Sequence, residues 1–178
     1  MKYIKTLVAA LVATALFVTA ASAATNAPAV TASVANNDAW TLTLAGAGTT
    51  STKGASDTAL GAELGIGHTG KLILPLEAGF RQKFSYDSAG NNSYIHQSKV
   101  YTDFTVLKFW QLELQAGGNV AYAYGDTAAT WTVSPEAVAK LYLKKDVWAF
   151  GRVEYPYDLN KSAFQNSLVY TLGLGLSF

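Results

Sequence analysis

The chain has no cysteine among its 178 residues, which excludes a disulfide framework, a thiol nucleophile and a thiolate-ligated metal. It has two histidines, little material for zinc or for imidazole catalysis, and no metal or cofactor site is expected. Charge is scarce as well: 14% of residues are charged, 13 basic against 12 acidic. So even a balance removes the electrostatic case for a nucleic-acid partner or an acidic-substrate trap. What is present is apolar (50%) and aromatic (12%), a composition that can bury itself and is not that of a disordered chain. One compact domain is expected.

The N-terminus reads as an address. Lys2 and Lys5 precede an apolar run from Leu7 to Ala21, and Ala21-Ser22-Ala23 offers the small residues that signal peptidase reads, so residues 1–23 are expected to be an export signal. A retained anchor helix is the competing reading, but the run is short, rich in Ala and Thr, and lacks a basic stop-transfer flank. Residues 24–38 show no periodicity and read as an extended periplasmic leader. Export without cysteine fits a bacterial envelope protein.

From residue 39 to 178 the pattern is that of strands. Leu168, Tyr170, Leu172, Leu174, Leu176 and Phe178 alternate with small or polar residues up to the last position, a strict period of two. The same alternation predicts strands near 39–48, 58–67, 71–85, 94–107, 110–124, 130–143, 146–156 and 167–178. Each is near or above the roughly 9–11 residues a tilted strand needs to cross a bilayer. Tight connections are expected at His68-Thr69-Gly70, Lys108-Phe109 and Lys144-Lys145-Asp146, alternating with longer polar loops.

Parity sorts the charges. Glu63, Glu77, Arg81, Lys83, Lys99, Asp103, Glu113, Glu136, Lys140, Arg152 and Glu154 all fall on the face opposite the apolar one. Trp148 and Phe150 share that parity, which signals a bulge, a shifted register or a periplasmic plug. A soluble, lipocalin-like ligand-binding barrel would turn the charges outward and line its cavity with the apolar face. The aromatics favour the reverse. Trp40, Phe109, Trp110 and Phe178 gather at the tight-turn end, and Tyr86, Tyr94, Tyr122, Tyr124, Trp131 and Tyr155 at the loop end. Two aromatic girdles flanking an apolar band imply a membrane between them.

The ending Tyr170-x-Leu172-x-Leu174-x-Leu176-x-Phe178 resembles the C-terminal assembly signal of Gram-negative outer membrane β-barrels. The whole region after the signal is similar in pattern to the small eight-stranded class: the outer membrane protein A transmembrane domain, outer membrane protein X and opacity-like proteins. That resemblance implies an eight-stranded antiparallel up-and-down transmembrane β-barrel, monomeric, in the bacterial outer membrane. It implies outer membrane lipids and lipopolysaccharide as surroundings. The export channel, periplasmic chaperones and barrel assembly machinery are the folding partners it implies.

Eight strands enclose an interior just wide enough for side chains to fill it. The inward charges, six acidic and five basic, are therefore expected to pair: Glu77 with Arg81, Lys99 with Asp103, Glu136 with Lys140, Arg152 with Glu154. A structural, envelope-integrity role follows, with a narrow outer membrane channel as the alternative. A third reading is enzymatic. His96-Gln97-Ser98 resembles the His-x-Ser pair of outer membrane lipid A deacylases, since residues two apart in a strand share a face and an outward pair could meet a lipid ester. No acidic residue of the same parity lies near to orient His96, and the competing reading is that His96 and Ser98 are interfacial polar residues at headgroup level.

Overall fold

The computed structural model describes residues 38–51, 59–87, 93–126 and 129–178; the expected export signal and all of the leader but Asp38 lie outside them. The strands are β1 (Ala39–Ser51), β2 (Ala59–Lys71), β3 (Pro75–Asp87), β4 (Ser93–Phe109), β5 (Leu112–Gly125), β6 (Thr130–Lys144), β7 (Val147–Glu154), β8 (Tyr157–Asp158), β9 (Ala163–Phe164) and β10 (Ser167–Ser177). Eight of them, β1 to β7 and β10, are staves, each antiparallel to its neighbours, and the β1–β10 pairing closes the cylinder. Closure leaves no long unpaired edge among the staves. β8 and β9 form a short ladder in the last loop, and β8 continues the upper edge of β6 through Thr132 and Val133.

Following the registers from Ala45 through Glu63, Lys83, Gln97, Ala123 and Thr130, and on through β7 and β10, returns to β1 about ten residues nearer the loop end. That stagger tilts the staves by about 40° from the axis. It also decides which inward residues share a height, because neighbours across a ladder are not level along the barrel.

Three local expectations need correction or resolution. The first hairpin turns later than His68-Thr69-Gly70: those residues stay in β2, and Lys71 pairs with Pro75 around an exposed Leu72-Ile73-Leu74 tip. β3 accordingly starts at Pro75, a residue that forgoes a ladder hydrogen bond and is at home at a strand start. The second turn is Trp110-Gln111, between the paired Phe109 and Leu112, with Trp110 at φ 55, a conformation that costs a bulky residue energy. Trp148 and Phe150 remain in regular pairing with β10 and point inward, 2% and 7% exposed. They are a plug, packed with Ala45 and Val138 and flanked by Tyr142. Bulges do occur elsewhere, between Thr105 and Leu107 and between Tyr142 and Lys144. The first turns Lys108 toward Glu113, 3.5 Å away.

Small residues opposite the plug make room for it. A Cβ on Gly175 would overlap the Trp148 indole, whereas one on Gly46 would meet nothing within 4 Å. Gly175→Val should therefore lower stability by about 1–3 kcal/mol through overpacking, while Gly46→Ala should leave it unchanged or slightly raised. Denaturant titration of the folded barrel, followed by tryptophan fluorescence, measures both.

Candidate functional site

The barrel is polar inside and apolar outside. Leu44, Leu64, Val100 and Leu172 are among the outward residues, each more than half exposed, whereas Glu63, Glu77, Arg81, Lys83, Lys99, Asp103, Glu113, Glu136, Lys140, Arg152 and Glu154 are all buried. A soluble ligand-binding cup has the opposite polarity, so that alternative is overturned: the cavity it needs to be apolar is filled with charge.

Two guanidinium groups organise the lumen. Arg81 reaches Asp103 on the next stave at 2.8 Å and Glu136 across the barrel at 2.7 Å. Arg152 reaches Glu63 at 2.5 Å and Glu154 at 2.9 Å, with Glu136 at 3.8 Å. The fork of donors on each Arg lets one cation serve two or three carboxylates from different staves. Lys99 crosses to Glu154 at 2.8 Å and lies 3.5 Å from Glu63. Lys140 bonds Glu77, which also accepts from Tyr101 at 2.7 Å and from Thr41 at 2.9 Å. Asn119 donates to both Glu136 and Glu154, so the two Arg clusters become one network. Glu113 is served separately by Thr105, Gln115, Tyr142 and Lys108.

The expected pairs hold for Arg152 with Glu154 only. Glu77 meets Lys140, Arg81 meets Asp103 and Glu136, and Lys99 meets Glu63 and Glu154. The reason is reach: long inward side chains extend to the axis and meet partners from far staves at their own height. Lys83 departs most, because among the described residues it makes no ion pair. Tyr101, Asn119, Gln115 and Thr41 belong to the lumen as much as the charges do. Parity carried the signal for Tyr101, two residues from both Lys99 and Asp103; its ring lies 3.3 Å from the Arg81 guanidinium carbon, close enough for cation–π attraction. Between the network and the plug a cavity of about 10 Å³, lined by Glu77, Arg81, Tyr101, Lys140 and Trp148 among others, has room for about one water molecule.

Outside, the aromatic rims differ. At the tight-turn end Trp40, Phe109, Trp110 and Phe178 stand exposed, and Trp40 and Phe178 exchange backbone hydrogen bonds. At the loop end the rings touch in a row: Phe84 to His96 at 5.1 Å, His96 to Tyr124 at 5.4 Å, Tyr124 to Tyr122 at 5.8 Å and Tyr122 to Trp131 at 4.9 Å. Tyr86 packs on Tyr94, and Tyr155 on Phe164. The stretch from Trp110 to Tyr122 rises about 30 Å along a stave tilted by about 40°, which matches the hydrocarbon thickness of a bilayer. His96 is the second ring of the row, between Phe84 and Tyr124. The Ser98 hydroxyl donates to Gln82 Oε1 at 2.7 Å.

The last loop is fastened by Asp158, whose Oδ1 accepts from the backbone N–H groups of Asn160 and Lys161 and from the Thr130 hydroxyl at 2.9–3.1 Å. Burial pushes this carboxyl's pKa up, but the hydrogen bonds outweigh it and hold the pKa below the ordinary aspartate value.

No protein-family model matches the chain, and no curated protein matches it. Solved structures do. Neisserial surface protein A superimposes with a TM-score of 0.53 at 11% identity, over 82% of this chain and 98% of that one. The N-terminal β-barrel domain of Pseudomonas aeruginosa OprF gives 0.50 at 14% identity, over 78% of this chain and 97% of that one. The fold is thus that of the small eight-stranded outer membrane β-barrels.

Arg81→Met leaves Asp103 and Glu136 buried without their shared cation and should cost about 3–5 kcal/mol. The triple replacement with Asp103→Asn and Glu136→Gln should recover much of that loss, since no uncompensated charge remains; equilibrium unfolding of the three proteins checks this. At the last loop, the depressed Asp158 pKa means that its stabilisation is full above the ordinary aspartate pKa and is lost as pH falls through the lower, folded value. Amide-exchange protection at Asn160 and Lys161 should therefore fade in strong acid before the staves open.

Proposed function

We propose that this chain is a monomeric integral protein of the bacterial outer membrane whose role is structural: it contributes to envelope integrity and presents a small loop surface. One observation carries the reading. An apolar belt bounded by two aromatic rims surrounds a lumen whose charges, Lys83 apart, are bound to one another, an arrangement that satisfies a membrane outside and fills the interior with paired side chains. Both chain ends would then face the periplasm, with the four longer connections outside, in contact with lipopolysaccharide. The strand ending at Phe178, with Tyr170, Leu172, Leu174 and Leu176 outward at alternate positions, is the segment the assembly machinery would read after export and chaperone delivery. His96 takes an interfacial part in this reading, as a ring in the loop-end row, and no enzymatic activity is assigned.

Heat-modifiability tests the reading directly. The membrane fraction, run unboiled and boiled on a denaturing gel, should give a compact and an unfolded band; a protein left in the aqueous fraction with no shift would overturn it. In planar bilayers the purified barrel should give only rare, small conductance events. Steady open states would replace the structural role with that of a narrow channel. Lipid A mass spectra should be the same with the native chain and with Ser98→Ala, and a difference between them would restore the deacylase reading.

A further inference from the structure

The turns at the tight end expose more apolar surface than a turn in water accounts for. Leu72 and Ile73 stand at the tip of the β2–β3 hairpin, Ile73 at 89% exposed, and Phe109 and Trp110 lead into the β4–β5 turn, Trp110 at 61%. Trp110 takes the first central position of a two-residue hairpin connection, with φ 55, where glycine is usual and sits without strain. A bulky residue kept in that conformation with its ring outward points to a role other than making the turn. Exposed apolar groups of this size call for a surface that covers them. They run on from the outward belt through Leu143 and Val147, which are also exposed.

Each of the three tight turns also brings a lysine. Lys71 ends β2, Lys108 lies one residue before the end of β4, and Lys144-Lys145 lie between β6 and β7. Lys108 is turned to Glu113. Lys71, Lys144 and Lys145 are exposed, and among the described residues none of them makes an ion pair. The acids at this end are Asp146 and Asp38, the latter on His68 at 3.1 Å. The Tyr142 N–H donates to the Gln111 carbonyl at 2.8 Å, so the β6–β7 turn adjoins the β4–β5 turn and brings Lys144-Lys145 to the side of Phe109 and Trp110. The other end has the reverse charge: its connections carry Asp57, Asp87, Asp126 and Asp158 against Lys53 and Lys161.

We propose that the tight-turn end is a docking surface for anionic glycerophospholipid, with Lys144 and Lys145 on the headgroup phosphate and Phe109 and Trp110 against the glycerol and upper acyl chain. Lys71 with Leu72 and Ile73 offers the same combination on the β2–β3 hairpin. A lysine stem lies along apolar surface while its ammonium reaches the phosphate, and each cation near an anionic leaflet adds attraction. A zwitterionic lipid brings its own ammonium and gains less, and the acidic loop end gives an anionic headgroup no comparable hold. The inference rests on the outer membrane reading, which supplies a leaflet at this end, and adds to it a preference for one class of lipid on one side.

Quenching of tryptophan by lipids brominated on their acyl chains reads the contact. Trp40→Phe with Trp131→Phe leaves Trp110 as the one exposed indole, Trp148 being buried. That barrel is folded into mixed vesicles of phosphatidylcholine and phosphatidylglycerol in which one lipid or the other is brominated. The anionic lipid should associate at Trp110 about fivefold more strongly. Lys144→Gln with Lys145→Gln should remove most of that preference, and Lys161→Gln, at the loop end, should leave it unchanged. Glycerol 3-phosphate in the aqueous phase at constant ionic strength should not reduce it; a loss would mean a site for soluble phosphate and would overturn the lipid assignment. An unboiled gel of the vesicles separates the two readings. A chain that gives no compact band in the vesicles overturns the membrane reading and this inference together. A compact band with equal quenching by the two lipids, or with a preference that survives the double lysine variant, overturns this inference alone.

Discussion

The structure depends on one constraint: a barrel that turns its apolar face outward must put its strand charges inside, where each has to meet a partner. The staves have no other place for them. Outward positions would face hydrocarbon, and an unpaired charge inside would be as poorly placed. Arg81 and Arg152 answer the constraint because a planar fork can bridge carboxylates from three directions. They bind β2, β3, β4, β6 and β7 to one another through the lumen. Backbone ladders close the cylinder, and these cross-links hold its two sides at a set height.

Along the axis the lumen is divided by chemistry. The tight-turn end is stopped by Trp148, Phe150 and Val138. The Arg-centred network occupies the middle, and nearer the loop end stand the buried Lys83, Ser134 and Thr132. Glycines and small residues permit this uneven filling: where a stave carries Gly175, the facing stave carries Trp148. Outside, the aromatic rims follow the same axis, with single exposed rings below and a contiguous row of rings above. The His96 position shows how context sets a residue's part, since a potential base sits between Phe84 and Tyr124 as one more flat ring.

Much of this was legible in the linear chain, and particular residues show where legibility stopped. Period-two alternation placed all eight staves within a few residues and put every glutamate on one face, because a pleated strand leaves a side chain no third direction. The alternation misleads at the first turn, because Leu72 and Leu74 continue it through a tip that is no longer paired. Trp148 and Phe150 left three explanations open, and parity could not choose among bulge, slip and plug. Sequence neighbours on a single stave invite pairing, and only Arg152 with Glu154 pairs in that way.

By itself, then, the sequence determined which residues face the lumen and which face outward, since that follows from strand geometry one residue at a time. Only the tertiary structure decided who meets whom. Closing eight staves with a stagger of about ten residues brings to one height positions such as Arg81 and Glu136, which lie far apart in the chain. It also leaves Lys83 without an ion pair among the described residues, its ladder neighbour Glu63 being shared by Lys99 and Arg152. Partnership in a lumen is a property of barrel closure, and closure is a relation among all the staves that no single strand contains.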